Sequence, residues 1–352
     1  MIAAGNLRAL CANGHIEELM DEARAISWRH FGKSIELYYS YYQDKADKLQ
    51  FTKDARERYK HEFIQGIKDS MVNLPPVINL SGNRCELSCD HCKKINLRAM
   101  LNADTPEKLY TLVKEFHSNG AQGFLLSAGS RIDGTTIIEP VFDKTIMRIK
   151  RDFGSYLGIH AGYISRTRVR EIKELGVDSI LVDVIGHEDT LRQVYHLERP
   201  LSVIEDVIRY AIEEKIDVIP HICIGLHYGR IIGEYDAIDM LAKYPLKNIT
   251  FIILEPTPGT PMADVIPPDA ESVSRLLVYS RFKLPKVLHA LGCIRPIGSY
   301  GEKIELAAIQ AGCNRIAGIS SDLTISRCMA YGLNYNIGSH CCMIGNGMFN
   351  TK

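Results

Sequence analysis

The sequence predicts an α/β chain built as a (β/α)8 barrel of the TIM type. Three observations predict it. From residue 77 onward, short apolar runs rich in β-branched residues alternate with helix-length segments. The runs are nearly continuous in apolar residues, which suits the strands of a parallel sheet covered by helices. Eight of them fit into roughly 240 residues, the number and size of a barrel rather than of an open doubly wound sheet.

The elements follow in order. Residues 1–76 read as a helical extension. "HIEELMDEARAISWRHFG" places apolar residues at helical spacing, "DARERYKHEFIQGIKDSMVN" is a second amphipathic run, and Pro75 and Pro76 end the region. The barrel occupies 77–321. Its strand runs are 77–82, 123–129, 158–164, 179–186, 217–226, 248–256, 286–296 and 314–320. Helix patterns such as "TPEKLYTLVKEFHSNGA" and "LSVIEDVIRYAIEEKI" lie between them. The tail, 322–352, is Gly- and Asn-rich with three cysteines, and reads as irregular structure capping the barrel.

Composition narrows the function. With 42 basic and 42 acidic residues the formal charge is zero, and no basic stripe argues for nucleic acid. No run of ~18 apolar residues predicts a membrane span, and the N-terminus lacks the apolar block of a signal peptide. A cytoplasmic protein is expected. Ten cysteines in such a chain are ligands, reactive thiols or buried apolar residues rather than disulfides.

In a barrel of this type, chemistry sits at the C-terminal ends of the strands. Those ends are rich in polar and thiol groups. They include Ser127-Ala128-Gly129, His160, Asp183, Cys223, Glu255, Cys293 with Arg295, and Ser320-Ser321. Cys293 stands beside Arg295, and adjacent positive charge favours thiolate. That makes the two a candidate catalytic pair.

The sharpest signal is "SGNRCELSCDHCKK", directly after the first strand. It holds Cys85, Cys89 and Cys92 as C-x3-C-x2-C. Structural zinc wants four ligands, usually as two separated pairs. His91 offers a fourth, but no second pair follows at finger spacing. Iron–sulfur clusters are held by Cys thiolates, commonly four. Three thiolates on a four-iron cluster leave one iron open to a small-molecule ligand.

A C-x3-C-x2-C loop at this place resembles the radical S-adenosylmethionine (radical SAM) superfamily. The resemblance implies a [4Fe-4S] cluster on Cys85, Cys89 and Cys92, S-adenosyl-L-methionine on the open iron, and chemistry through a 5'-deoxyadenosyl radical. It places Ser127 and Gly129, in "LSAGSRIDG", where the superfamily often has a Gly-Gly-Glu-like element for the methionine amino group; the departure from that pattern leaves this recognition to backbone and Ser127. It places Gly229, Ile231 and Gly233, in "GRIIGE", on an element packed near adenine, although Glu234 arrives one place early. His160 and Asp183 become cofactor- or substrate-binding candidates.

The motifs "HFGKSIELY", "VDVIGHEDT", "PTPGTPM" and "LGCIRPIGSYGEKIELAAIQAGCNRIAGIS" are similar to the biotin-synthase-like branch, most closely to the two-component lipoyl synthase proteins. That likeness covers most of the chain. It implies sulfur insertion into C–H bonds of an octanoyl chain on a lysine of a lipoyl-carrier protein, such as the glycine cleavage H protein. A paralogous lipoyl synthase component and a low-potential electron donor are the other implied partners. A second iron–sulfur cluster would be the sulfur source, with Cys293, Cys328, Cys341 and Cys342 as candidate ligands. Two alternatives stand beside this: a biotin-synthase-like enzyme acting on a free small molecule, and a non-catalytic cluster-carrying partner.

Overall fold

A computed structural model describes residues 7–38, 76–319 and 323–338. The second N-terminal helical run, Ser320-Ser321, Cys341 and Cys342 lie outside the described residues.

The strands are β1 (Ser34–Tyr38), β2 (Val77–Asn79), β3 (Leu101–Asn102), β4 (Gly123–Ser127), β5 (Tyr156–His160), β6 (Ser179–Asp183), β7 (Asp217–Ile224), β8 (Asn248–Ile253), β9 (Leu288–Leu291), β10 (Arg315–Ala317) and β11 (Asn334–Gly338). All pair in parallel in one sheet, in the order β11-β1-β10-β9-β8-β7-β6-β5-β4-β2-β3. The eight expected strands, β2 and β4 to β10, follow one another round a curled sheet, a partial barrel of the TIM type. Helices on its outer side connect them, as parallel pairing requires.

Two segments differ from the sequence reading. Ser34–Tyr38 lies in the stretch read as helical, yet forms β1 and pairs with β10 from Glu36↔Arg315 to Tyr38↔Ala317. The helical period ends at Gly32, whose φ of 75° stops the helix Ile16–Phe31. "SIELY" then alternates polar and apolar residues, burying Ile35 and Leu37. The tail is also more regular than expected. Leu323–Ala330 is a helix, and β11 pairs with β1 along its whole length.

The amphipathic patterns work as read. Helix Pro106–Ser118 starts on Thr105, whose hydroxyl accepts the Lys108 N–H, and buries Leu109 and Val113. Inward positions alternate along the strands. Leu125, Tyr156, Leu181 and Ile219 form one small apolar layer inside the sheet. Above it, toward the C-terminal ends, stand Ser127, His160, Asp183, His221 and Cys223. Among the described residues no helix is long and apolar enough to cross a membrane.

At the opposite end, Arg281 is fully buried. Its guanidinium donates to the carbonyls of Val287 (2.8 Å) and Gly312 (2.9 Å) and to Asn314 Oδ1 (2.7 Å). Asn314 Nδ2 in turn donates to Ser27 Oγ at 3.1 Å, tying helix Ile16–Phe31 to the base of the sheet. Burial pushes Arg281 down to about 10, still charged at neutral pH. Arg281→Met should therefore cost about 3 kcal/mol in a urea unfolding curve at constant m, because three buried acceptors lose their donor. A loss under about 1 kcal/mol would mean the base of the sheet holds without it.

Candidate active site

The three-cysteine loop follows β2, where backbone pairing stops and side chains take over. Asn79, the last residue of β2, organises it. Its Nδ2 donates to the carbonyls of Gly82 (2.7 Å) and Leu97 (3.1 Å), and its Oδ1 accepts from Ser81 N and Ser81 Oγ at 3.0 Å. Ser81 Oγ then accepts the Gly129 N–H at 2.8 Å, joining the loop to the end of β4. The approach is so close that a Cβ on Gly129 would stand 2.0 Å from the Arg84 carbonyl oxygen and 2.6 Å from Cys85 Cβ.

Farther along, the loop is pinned by Asp90. Its carboxylate accepts from Tyr228 Oη (2.8 Å), His196 Nε2 (2.8 Å) and Lys93 Nζ (3.0 Å). The Asp90 N–H donates to Val194 O at 2.9 Å. Burial alone would raise this carboxyl, but those three donors hold it below its ordinary value. Ser88, Lys93 and Lys94 all have positive φ. Left-handed backbone at such residues costs about 1–3 kcal/mol each and persists only where the surroundings impose it.

The loop presents Cys85, Cys89 and Cys92 to one cavity of about 290 Å³. The Ser130 N–H donates to Cys85 Sγ at 3.4 Å. Cys89 and Cys92 share a hydrogen bond, which together with His91 pulls the Cys92 thiol down while Cys89 is pushed up. Such a pair gives up one proton early. His91 Nδ1 is buried with no hydrogen-bond partner. Among the described residues no three His, Cys, Asp or Glu side chains converge to hold a single metal ion.

Across the cavity stand groups from consecutive strands. His160 ends β5 and Asp183 ends β6, in register with His221 of β7. The His160 and His221 rings lie 5.6 Å apart. Burial pushes both imidazoles down to about 4, so both are neutral at physiological pH, and it pushes the Asp183 carboxyl up. Tyr163 and Tyr195 add to the wall, and Tyr163 Oη donates to the Asp183 carbonyl at 3.3 Å.

The structure brings together Cys85, Cys89, Cys92, Ser127, Gly129, His160, Asp183 and Cys293, all of which line the cavity. Other expected residues lie elsewhere. Gly229, Ile231 and Gly233 are not on its wall. They build a tight turn: Gly229, at φ 81°, leaves no room for a Cβ beside Ile266 O, and Gly233 packs against Gly186. Glu234 carboxylate oxygens accept the N–H groups of Gly225 (2.8 Å) and Gly233 (3.0 Å), so it too is part of this turn. Arg295, expected to be catalytic, is instead 1% exposed and paired with Glu305 at 2.6 Å. Cys328 is fully buried in the helix Leu323–Ala330, off the cavity wall, and burial pushes its thiol up to about 12.

Sequence reasoning placed Cys223 at a strand end but missed Asn79, His221, Tyr163 and Tyr195. The alternation in "VIPHICIG" carries a signal for His221 and Cys223, which must share a face. Tyr195 reaches the cavity from a helix end, and local pattern gives no sign of it.

Comparisons agree with this geometry. Residues 79–241 match the model of the radical SAM superfamily. The biotin synthase of Ruthia magnifica subsp. Calyptogena magnifica is 22% identical over 269 residues, covering 72% of this chain and 78% of the relative. Two solved structures superpose on 94% of the chain. One is methylornithine synthase, with 14% identity, 93% of that chain and a TM-score of 0.60. The other is the FeFe-hydrogenase maturase HydG from Carboxydothermus hydrogenoformans, with 14% identity, 75% of that chain and a TM-score of 0.61. At that identity they show the fold alone.

Two outcomes follow from the loop's geometry. Gly129→Ala should push the end of β4 away from the cysteine loop and cut iron bound after anaerobic reconstitution several-fold, by about as much as losing one thiolate ligand; full iron loading would show that the loop tolerates the displacement. Asp90 sets a pH dependence. Its folded pKa lies below the unfolded one, so its contribution is present above about pH 4 and is lost as pH falls through the folded value. Asp90→Asn should lower stability by about 1 kcal/mol at pH 7 and by much less near pH 3, in urea midpoints.

Proposed function

We propose that this chain is a radical SAM enzyme that inserts sulfur into C–H bonds of an octanoyl chain carried on a lysine of a lipoyl-carrier protein. Enzymes of this superfamily use a [4Fe-4S] cluster with S-adenosylmethionine. The donor set fits that group. Three thiols from one short loop face a single cavity, and one accepts a backbone N–H. Cys85, Cys89 and Cys92 would hold the cluster, and when bound it supplies, with S-adenosylmethionine, the radical that an unactivated C–H bond requires.

The observation that carries the sulfur-insertion reading is Cys293. It lines the same cavity as the three-cysteine loop but comes from the far side, after β9. A sulfur source and a radical source facing one enclosed space is what this reaction needs. The floor, with Val77, Leu125 and Leu181, is apolar and suits an acyl chain. Cys293 with Cys341 and Cys342 of the tail would hold a second iron–sulfur cluster; Cys328, packed in the core, is set aside. A paralogous component that inserts the other sulfur atom, and a low-potential electron donor, complete the reading.

A second reading has its own support. Asp183, His160 and His221 put three titratable side chains into the cavity. A free small molecule with polar groups would use them, where a bare acyl chain would not.

Incubation of the anaerobically reconstituted protein with dithionite as reductant, S-adenosylmethionine and an octanoyl-lysine carrier, with mass analysis of the carrier, separates the two. Iron counting in wild type and a Cys85/Cys89/Cys92→Ala variant accompanies it. We expect about eight irons and about four, respectively, and one added sulfur per carrier. About four and about zero irons, with an unchanged carrier, would move the function to a free metabolite.

A further inference from the structure

The loop Gly292-Cys293-Ile294-Arg295 carries a buried charge that the proposed chemistry does not use. Arg295 Nη1 donates to the carbonyls of Gly292 and Ala317, both at 2.6 Å. Its Nη2 donates to Gly318 O at 2.7 Å and to Glu305 Oε1 at 2.6 Å. Glu305, on the helix Ser299–Gln310, is fully buried and also accepts from Thr324 Oγ1 of the tail helix. One guanidinium thus closes its own turn, ties that turn to the end of β10, and links both to two helices.

The turn is fixed from the other side as well. Gly292 N donates to Phe251 O at 2.7 Å, and Ile253 N to Ile294 O at 3.0 Å, so both its ends are stitched to β8. A Cβ on Gly292 would stand 2.6 Å from Ile252 Cγ2. Between residues held this way, Cys293 lines the cavity, while Arg295 is buried against Glu305 and off its wall.

We infer that the Arg295–Glu305 ion pair is a positioning device that sets the Cys293 sulfur on the cavity wall. A buried ion pair contributes little net stability over an apolar replacement, but it fixes geometry when all of its hydrogen bonds are made. Here the guanidinium holds three carbonyls that no aliphatic side chain could gather. The device belongs to the fold whether or not Cys293 ligates a cluster; its importance for catalysis rests on the reading proposed above.

The test compares full-length wild type, Arg295→Lys, Glu305→Gln and Ile304→Ala, purified without added iron. Ile304 is a fully buried neighbour of Glu305 on the same helix, so its truncation costs stability without touching the pair. Iodoacetamide labelling is followed at Cys293 and, as internal reference, at Cys223 on the same cavity, by peptide mass. In both pair variants the Cys293 rate should change by about threefold or more relative to Cys223, the size expected when a thiol changes its exposure and surroundings. Ile304→Ala should lower the melting temperature and leave the ratio unchanged. An unchanged ratio in the pair variants, or the same change in Ile304→Ala, would overturn the positioning role. Iron counts on the same variants separate this from the sulfur-insertion reading: a wild type with a single cluster removes that reading and leaves the labelling result standing.

Discussion

Parallel pairing of every strand is the constraint on which the rest of this structure depends. It sends all C-terminal strand ends to one edge and makes every connection cross the outside of the sheet. Side chains two residues apart then face the same interior, so the register Asp183↔His221 and the adjacent His160 are consequences of strand pairing rather than of any local motif. The cavity is the space left where the apolar layer of Leu125, Leu181 and Ile219 gives way to polar and thiol side chains.

The cysteine loop cannot draw on that regularity. It has no ladder of its own, and three of its non-glycine residues sit in left-handed backbone. Buried polar bonds from Asn79 and Ser81 hold one end, and the Asp90 carboxylate holds the other. Strain of this kind, imposed by surroundings, keeps thiols aimed at a common space without secondary structure. On the far wall the same principle recurs with a charge: Arg295 gathers carbonyls so that the turn bearing Cys293 has a single arrangement.

The periodic parts of this were legible in the sequence. Eight apolar runs with helical segments between them specify strand order and the outer helices, and C-x3-C-x2-C after the first run specifies the loop. What was not legible depends on long-range partners. "SIELY" reads as helix or strand until β10 and β11 are there to pair with it. Arg295 beside Cys293 suggests chemistry along the chain, but Glu305 ten residues on and the carbonyls of β10's end claim its charge. Cys328 looks like a ligand by composition and is a core residue by helix phase. "GRIIGE" marks close backbone approach correctly, and the partner is another loop.

In this proposal Cys85, Cys89 and Cys92 hold a cluster with an open position in this cavity. Electron paramagnetic resonance of the reduced, anaerobically reconstituted protein, with and without S-adenosylmethionine, tests it most directly. We expect a [4Fe-4S]⁺ signal whose g-values shift when S-adenosylmethionine is added, with that shift abolished in Cys92→Ala. A reduced signal indifferent to S-adenosylmethionine, or a shift that survives loss of Cys92, would contradict it.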